Sequence, residues 1–259
     1  MSDTSTGPRM LYWDIETAPW QAEGWGKKWD PRIIEFLEYG YALSVSWAWN
    51  DEPPQFFHKA KGKWNDKSLI KKIVSLLDEA DVAIAHNGDK FDIREINARA
   101  LYHRIPPPSP YISIDTIKIA RTHFSLPSYK LNDISDYYGL GQKVVHTGID
   151  LWHRCIKGDP EAWEEMRSYN DKDVELLRDV YNLMRPWMNR PGKAGTKFNA
   201  QQWYGAYSCP TCGSTDTRVR KEYYVRTKAT WRHAVLCMSC KAWASLKRAG
   251  DVGDDGEYR

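Results

Sequence analysis

The hydrophobic period changes along the chain, and that change constrains the fold more than any other feature. Residues 41–49 (YALSVSWAW) alternate and are rich in β-branched and aromatic side chains, as a strand is. Residues 66–80 (DKSLIKKIVSLLDEA) instead repeat Leu69, Ile70, Ile73, Val74, Leu76 and Leu77 at helical spacing, behind an Asn65/Asp66 cap. A strand at 10–14 (MLYWD) comes first, and 55–60 is placed to pair beside 41–49. There follow a short apolar strand at 82–85 (VAIA), a turn at Asn87-Gly88, a helix over 91–103 and a strand at 111–114. Residues 160–187 read as mostly helix, closing near Pro186. Strands first, then strand and helix in alternation, predict an α/β fold: a mixed sheet flanked by helices rather than a bundle or a sandwich.

At 259 residues the chain has room for that domain, assigned to 1–188, and a small second unit. Residues 189–205 (NRPGKAGTKFNAQQWYG) carry Pro, Gly and polar residues without periodicity, as a linker does. The second unit spans 206–248, and 249–259 read as a disordered acidic tail. Charge divides the same way: −3 for residues 1–190, +9 for 191–248 and −3 for 249–259. A basic segment gains affinity for phosphate chains by releasing counterions, so the back half is a candidate for nucleic acid. The start, MSDTSTGPRM, is polar, and no stretch is apolar for the roughly 20 residues of a membrane span. The expectation is a soluble, cytoplasmic protein without a membrane partner.

Asp14 and Glu16 stand two apart at the end of an apolar strand, so both carboxylates project from one face and repel unless a cation lies between them. Asp92 follows a short apolar strand at the start of a helix. Tyr169 and Asp173 are four apart on a helix and share a face. By itself each has an ordinary reading: a chance acid pair, a turn, a solvated helix face. Asp115 and Asp171 are nearby acids read as surface or structural charge.

The runs Asp14-Ile15-Glu16-Thr17, HNGDKFD (86–92) and YNDKD (169–173) occur in the order of the three exonuclease motifs of the DEDD superfamily, which they resemble. The Tyr-x-x-x-Asp spacing is similar to the DEDDy branch, and Ser168 stands where the DEDDh branch has histidine. The second motif also resembles stand-alone exonucleases of bacteriophage genomes, which would place the protein in a host cytoplasm. The resemblance covers roughly residues 9–187 and implies a ribonuclease H-like fold and 3′→5′ exonuclease activity. It further implies two Mg²⁺ or Mn²⁺ ions held by Asp14, Glu16, Asp92 and Asp173, with Tyr169 orienting water. Thr17, Asn87 and Phe91 are the candidates for holding the terminal nucleotide. DNA is the favoured substrate; an exoribonuclease of the same fold and a non-catalytic nucleic-acid-binding adaptor are the alternatives.

Four of the five cysteines form two Cys-x-x-Cys pairs, Cys209/Cys212 and Cys237/Cys240, and Cys155 stands alone and reads as inert. Four thiolates in two turns favour one structural Zn²⁺ with no open position, and the pattern resembles a zinc ribbon. An iron–sulfur centre or a redox pair is the competing reading. The intervening TRVRKEYYVRT and WRHAVL read as strands. Arg218, Arg220, Lys221, Arg226, Lys228 and Arg232 interleave there with Tyr223, Tyr224 and Trp231, a combination that grips single strands. A small packed core with a solvated surface is the bland alternative, and docking of a replication or recombination protein the rival use.

Overall fold

A computed structural model describes residues 7–27, 30–59, 62, 65–141, 147–188, 197–225 and 230–247. A five-stranded sheet runs in the order β5 (Gln55–His58), β4 (Ala42–Trp49), β1 (Met10–Thr17), β6 (Val82–Ala85), β7 (Ile112–Asp115). β1 is antiparallel to β4 and parallel to β6, so the sheet is mixed, as the period change predicts.

The two-residue period of β1 and β4 sorts their side chains between two cores. Leu11, Trp13 and Ile15 with Val45, Trp47 and Trp49 face α1 (Lys67–Glu79) and α2 (Asp92–His103). Tyr12 and Ala48, with Val82, Ile84 and Ile114, face α3 (Thr116–His123), α4 (Leu131–Tyr137) and the 29-residue α6 (Pro160–Met188). Asp14 and Glu16 continue the Tyr12 face, and so meet α6. α5 (Ile149–Lys157) packs Leu151 and Cys155 against Ala162 and Met166 of α6. Cys155 is buried, which pushes its thiol up to about 12 and leaves it protonated.

Local differences from the expectations have physical causes. Pro186 removes one N–H donor from the last turn of α6, which runs only two residues further, to Met188. Asp66 occupies the N-cap position of α1 but makes no capping bond. Its fully buried carboxylate instead accepts from Ala42 N–H (3.1 Å), from Arg99 Nε and Nη2 (2.7 Å each), and lies 2.6 Å from His103 Nε2. Between β1 and β4 the chain makes a hairpin, β2 (Gln21–Lys27) and β3 (Asp30–Glu38). Trp20, Phe36 and Tyr39 cluster at its base, whereas Trp25 is 75% exposed. Among the described residues no helix is long and apolar enough to cross a membrane.

Residues 198–204 of the stretch read as linker are packed. Phe198 and Ala200 are buried in the core of the α6 face, ahead of a short helix, α7 (Gln201–Tyr204). Residues 189–196 and the tail expected at 249–259 lie outside the described residues. Beyond α7, β8 (Thr217–Val225), β9 (Thr230–Cys237) and β10 (Trp243–Lys247) form a second, antiparallel sheet in the order β10-β9-β8, the small β-rich unit. The first two match the expected strands; β10 extends them.

The Asp66 cluster ties α1, α2 and the start of β4 together. Burial opposes its charge, but hydrogen bonds from Arg99 and His103 and the Ala42 N–H outweigh that and hold the carboxyl below the ordinary carboxylate range. Asp66→Asn is expected to cost about 3–5 kcal/mol in urea denaturation, because it strands a buried guanidinium. A folded-state value below the unfolded one contributes stability above roughly pH 4, lost as pH falls through the folded value. The gap between wild type and Asp66→Asn should therefore be full at neutral pH and narrow under acid. A gap that is constant with pH would contradict this.

Candidate metal-binding active site

β1 and α6 build the site between them. Asp14 and Glu16 leave the sheet on the α6 face, and Tyr169, Asn170 and Asp173 lie on the turns of α6 that cross it. One oxygen from each of Asp14, Glu16 and Asp173 lies within 4.8 Å of the others. Asp173 is buried and the other two are half-buried. Three carboxylates this close repel at any pH where they are ionised, and a divalent cation among hard oxygen ligands relieves that repulsion; the donor set suits Mg²⁺ or Mn²⁺.

Tyr169 donates its hydroxyl to Asp173. Burial, then the negative potential of Asp173, Glu16 and Asp14, pushes the phenol far above its ordinary value, so it is a hydrogen-bond donor and not a base.

Asp92 stands apart from this group of three. As the first residue of α2, just past the end of β6, its buried carboxyl accepts from the backbone N–H of Ile15, between Asp14 and Glu16 in β1. Burial pushes it up to about 7 against the pull of that bond, with Asp115 and Glu95 adding to the rise. All four motif carboxylates thus sit at one end of β1, three as a cluster and one on the neighbouring backbone.

The three residues expected to hold a nucleotide lie at the same strand ends. Thr17 follows a bulge after Glu16, and Phe91 caps α2 with 41% of its surface exposed. Asn87 adopts φ 68° and donates its backbone N–H to Asp115 (2.9 Å). Asp115 also caps α3 through Ile117 N–H (3.1 Å), and Asp171 accepts from Ser46 Oγ (2.5 Å). Both acids are thus held by hydrogen bonds from neighbouring elements.

Sequence reasoning missed two side chains. Asn170 is fully buried; its amide donates to Asp14 Oδ2 (2.7 Å) and its carbonyl accepts from Ser44 Oγ (3.2 Å). Ser44 thereby fixes Asn170, which holds Asp14. The second, Trp152 of α5, donates its indole N–H to Glu16 Oε2 (3.2 Å). Asn170 was signalled by lying inside YNDKD, but nothing local marks Trp152.

In the second unit Cys209, Cys212, Cys237 and Cys240 converge. The Sγ atoms are 3.8 Å apart between Cys209 and Cys240 and 3.6 Å between Cys212 and Cys237. A tetrahedral site with metal–sulfur bonds of ~2.3 Å has edges of ~3.8 Å, so these two separations are compatible with Zn²⁺. Both knuckles turn through a left-handed residue after the second cysteine, Gly213 (φ 80°) and Lys241 (φ 62°). A Cβ at Gly213 would also strike the Tyr204 ring at 1.9 Å. His233 lies outside the four, 2.7 Å from Glu222. Arg232 is tied to Ser245, whereas Arg218, Arg220 and Lys221 are exposed along β8, and the half-exposed rings of Tyr224 and Trp231, paired across β8 and β9, lie 5.5 Å apart. Arg226 and Lys228 lie outside the described residues.

A mixed five-stranded sheet with acids gathered at the end of its central strand defines a ribonuclease H-like domain. Residues 37–185 match the RNase_H_2 family of the RNase_H superfamily, and the chain belongs to that family. It is 26% identical over 175 residues to a PolC-type DNA polymerase III of Ureaplasma parvum, covering 60% of this chain and 10% of that protein. It is also 33% identical over 112 residues to a DNA polymerase of Methanocaldococcus jannaschii, covering 34% and 7%. The chain thus matches only about a tenth or less of either relative. The family B DNA polymerase of Pyrobaculum calidifontis shares the fold, with a TM-score of 0.53 and 16% identity over 69% of this chain and 25% of that one.

Proposed function

We propose that the protein is a divalent-metal-dependent 3′→5′ exonuclease that releases nucleotides from the 3′ end of DNA. The observation that carries this reading is the convergence of Asp14, Glu16 and Asp173 with Tyr169 at the end of β1, in a chain of the RNase_H superfamily. That both curated relatives are DNA polymerases favours DNA over RNA.

Asp14, Glu16 and Asp173, with Asp92 beside them, would hold two Mg²⁺ or Mn²⁺ ions. When bound, such ions supply an acidified water and offset charge on the leaving 3′ oxygen. Asn170, itself fixed by Ser44, keeps Asp14 in one orientation. Tyr169 offers its hydroxyl as a hydrogen-bond donor and would orient the attacking water. Thr17, Asn87 and Phe91 line the approach as contacts for the terminal nucleotide. The ribbon, with one structural Zn²⁺, adds exposed cations and the Tyr224–Trp231 pair as a surface for a single strand.

Polarity provides the test. With end-labelled oligonucleotides and Mg²⁺ or Mn²⁺, digestion should begin at the 3′ terminus, stop at a phosphorothioate linkage placed there and ignore one at the 5′ end. EDTA should abolish it. Release from the 5′ end, or cutting of a circular single strand, would overturn the assignment.

A further inference from the structure

Trp152 is 136 residues from Glu16 in sequence, yet its indole N–H donates to Glu16 Oε2 at 3.2 Å. The ring is wedged. It packs against two buried clusters, one of Leu151, Cys155, Ala162 and Met166 and the other of Ala18, Tyr41 and Leu43. Its edge also meets the Tyr169 ring, with centroids 6.0 Å apart and planes at 70°. One side chain therefore touches both a carboxylate of the acidic cluster and the phenol that serves Asp173.

Glu16 needs such a contact. It precedes a bulge at the end of β1, has more rotatable bonds than an aspartate, and is repelled by Asp14 and Asp173. An arginine or lysine donor could hold it, but would neutralise the charge a metal requires. An indole is an uncharged group that only donates, so it fixes one oxygen and leaves the carboxylate's charge intact for a cation. Partners of this kind orient metal ligands and typically govern 10–100-fold in affinity or activity.

We propose that Trp152 is a positioning residue for the metal site: through Glu16 it sets metal affinity, and through its ring it sets the orientation of Tyr169, which makes α5 part of the active site. This rests on the exonuclease reading, and the test separates the two. Trp152→Phe keeps an aromatic ring at this position and removes the N–H together with the rest of the pyrrole ring, so some packing is lost with the donor. Its metal-free melting temperature should stay within a few degrees of wild type. Calorimetric titration with Mn²⁺ alone should show binding weakened about 10–100-fold. At subsaturating Mn²⁺ the turnover on an oligonucleotide should fall in parallel, with KM for the strand unchanged and most of kcat restored by excess Mn²⁺. A change of less than about threefold in both Mn²⁺ binding and turnover would make Trp152 a packing residue and overturn the inference.

If the variant does not fold, the wild-type protein answers the same question. The Trp152 indole N–H resonance should shift on titration with Mg²⁺ and in Glu16→Gln, and a resonance indifferent to both overturns the proposal. Should wild type release no nucleotide from any substrate, the exonuclease reading fails, while calorimetry and resonance still judge Trp152. Should wild type digest DNA and Trp152→Phe match it in every measure, only this inference falls.

Discussion

Asp14→Asn and, separately, Asp173→Asn are expected to lower metal-dependent nucleotide release by about 10³-fold or more, since ~4 kcal/mol of lost charge stabilisation corresponds to that factor. Asparagine suits the test better than alanine. Asp14 accepts from the fully buried Asn170 amide, and alanine would leave that donor without a partner, confounding a chemical effect with a folding one. An asparagine keeps an acceptor and the shape while removing the charge. Asp173, which accepts from Tyr169, is treated the same way. Taking one charge out of a repulsive cluster should leave the metal-free melting temperature unchanged or higher. Rates within tenfold of wild type in a folded variant, measured by release of labelled mononucleotide, would remove these carboxylates from the reaction.

The second large effect is expected from Cys209→Ser with Cys240→Ser. On the proposed zinc-ribbon reading, a unit this small would derive its folding free energy from its ion, so metal content should fall by about one Zn²⁺ per chain and the β8–β10 sheet should unfold. Exposed Arg218, Arg220 and Lys221 would then no longer be presented together. Binding to long single strands should weaken, and the slope of log K against log salt should flatten by about 0.7 for each cation withdrawn. Hydrolysis of very short oligonucleotides should change far less. A truncation that serves as a control belongs after Gly205, because Phe198 and Ala200 are part of the main core. The knuckle is also in contact with that domain: Ala200 N–H donates to Pro210 O (2.8 Å), and Tyr204 lies against both Gly7 and Gly213. Some loss of overall stability should therefore accompany zinc removal. An unchanged salt slope would assign the ribbon to protein docking or structural support.

The sequence by itself determined what repeats locally. The two-residue period of β1 and β4, the helical spacing of α1 and the apolar run of β6 each reflect a face that must be buried, so their type could be read without knowing what buries them. The acid pair was legible for the same reason, because period two places Asp14 and Glu16 on one face wherever the strand lies. Two Cys-x-x-Cys turns likewise carry their chemistry in their spacing.

Tertiary structure decided everything that depends on partners distant in sequence. The β2–β3 hairpin escaped notice because Trp25, Ile33, Ile34 and Leu37 face no core, and without burial there is no pattern to read. Asp66 looked like a cap, but Arg99, 33 residues away, offers its carboxylate stronger bonds than a helix terminus does. Phe198 and Ala200 sat in a stretch with the composition of a linker, and only the α6 face shows that they are core. Asn170 and Trp152 reach Asp14 and Glu16 across 156 and 136 residues. Such contacts leave no periodic trace, because a hydrogen bond needs one donor at one place in space, and only the folded chain brings it there.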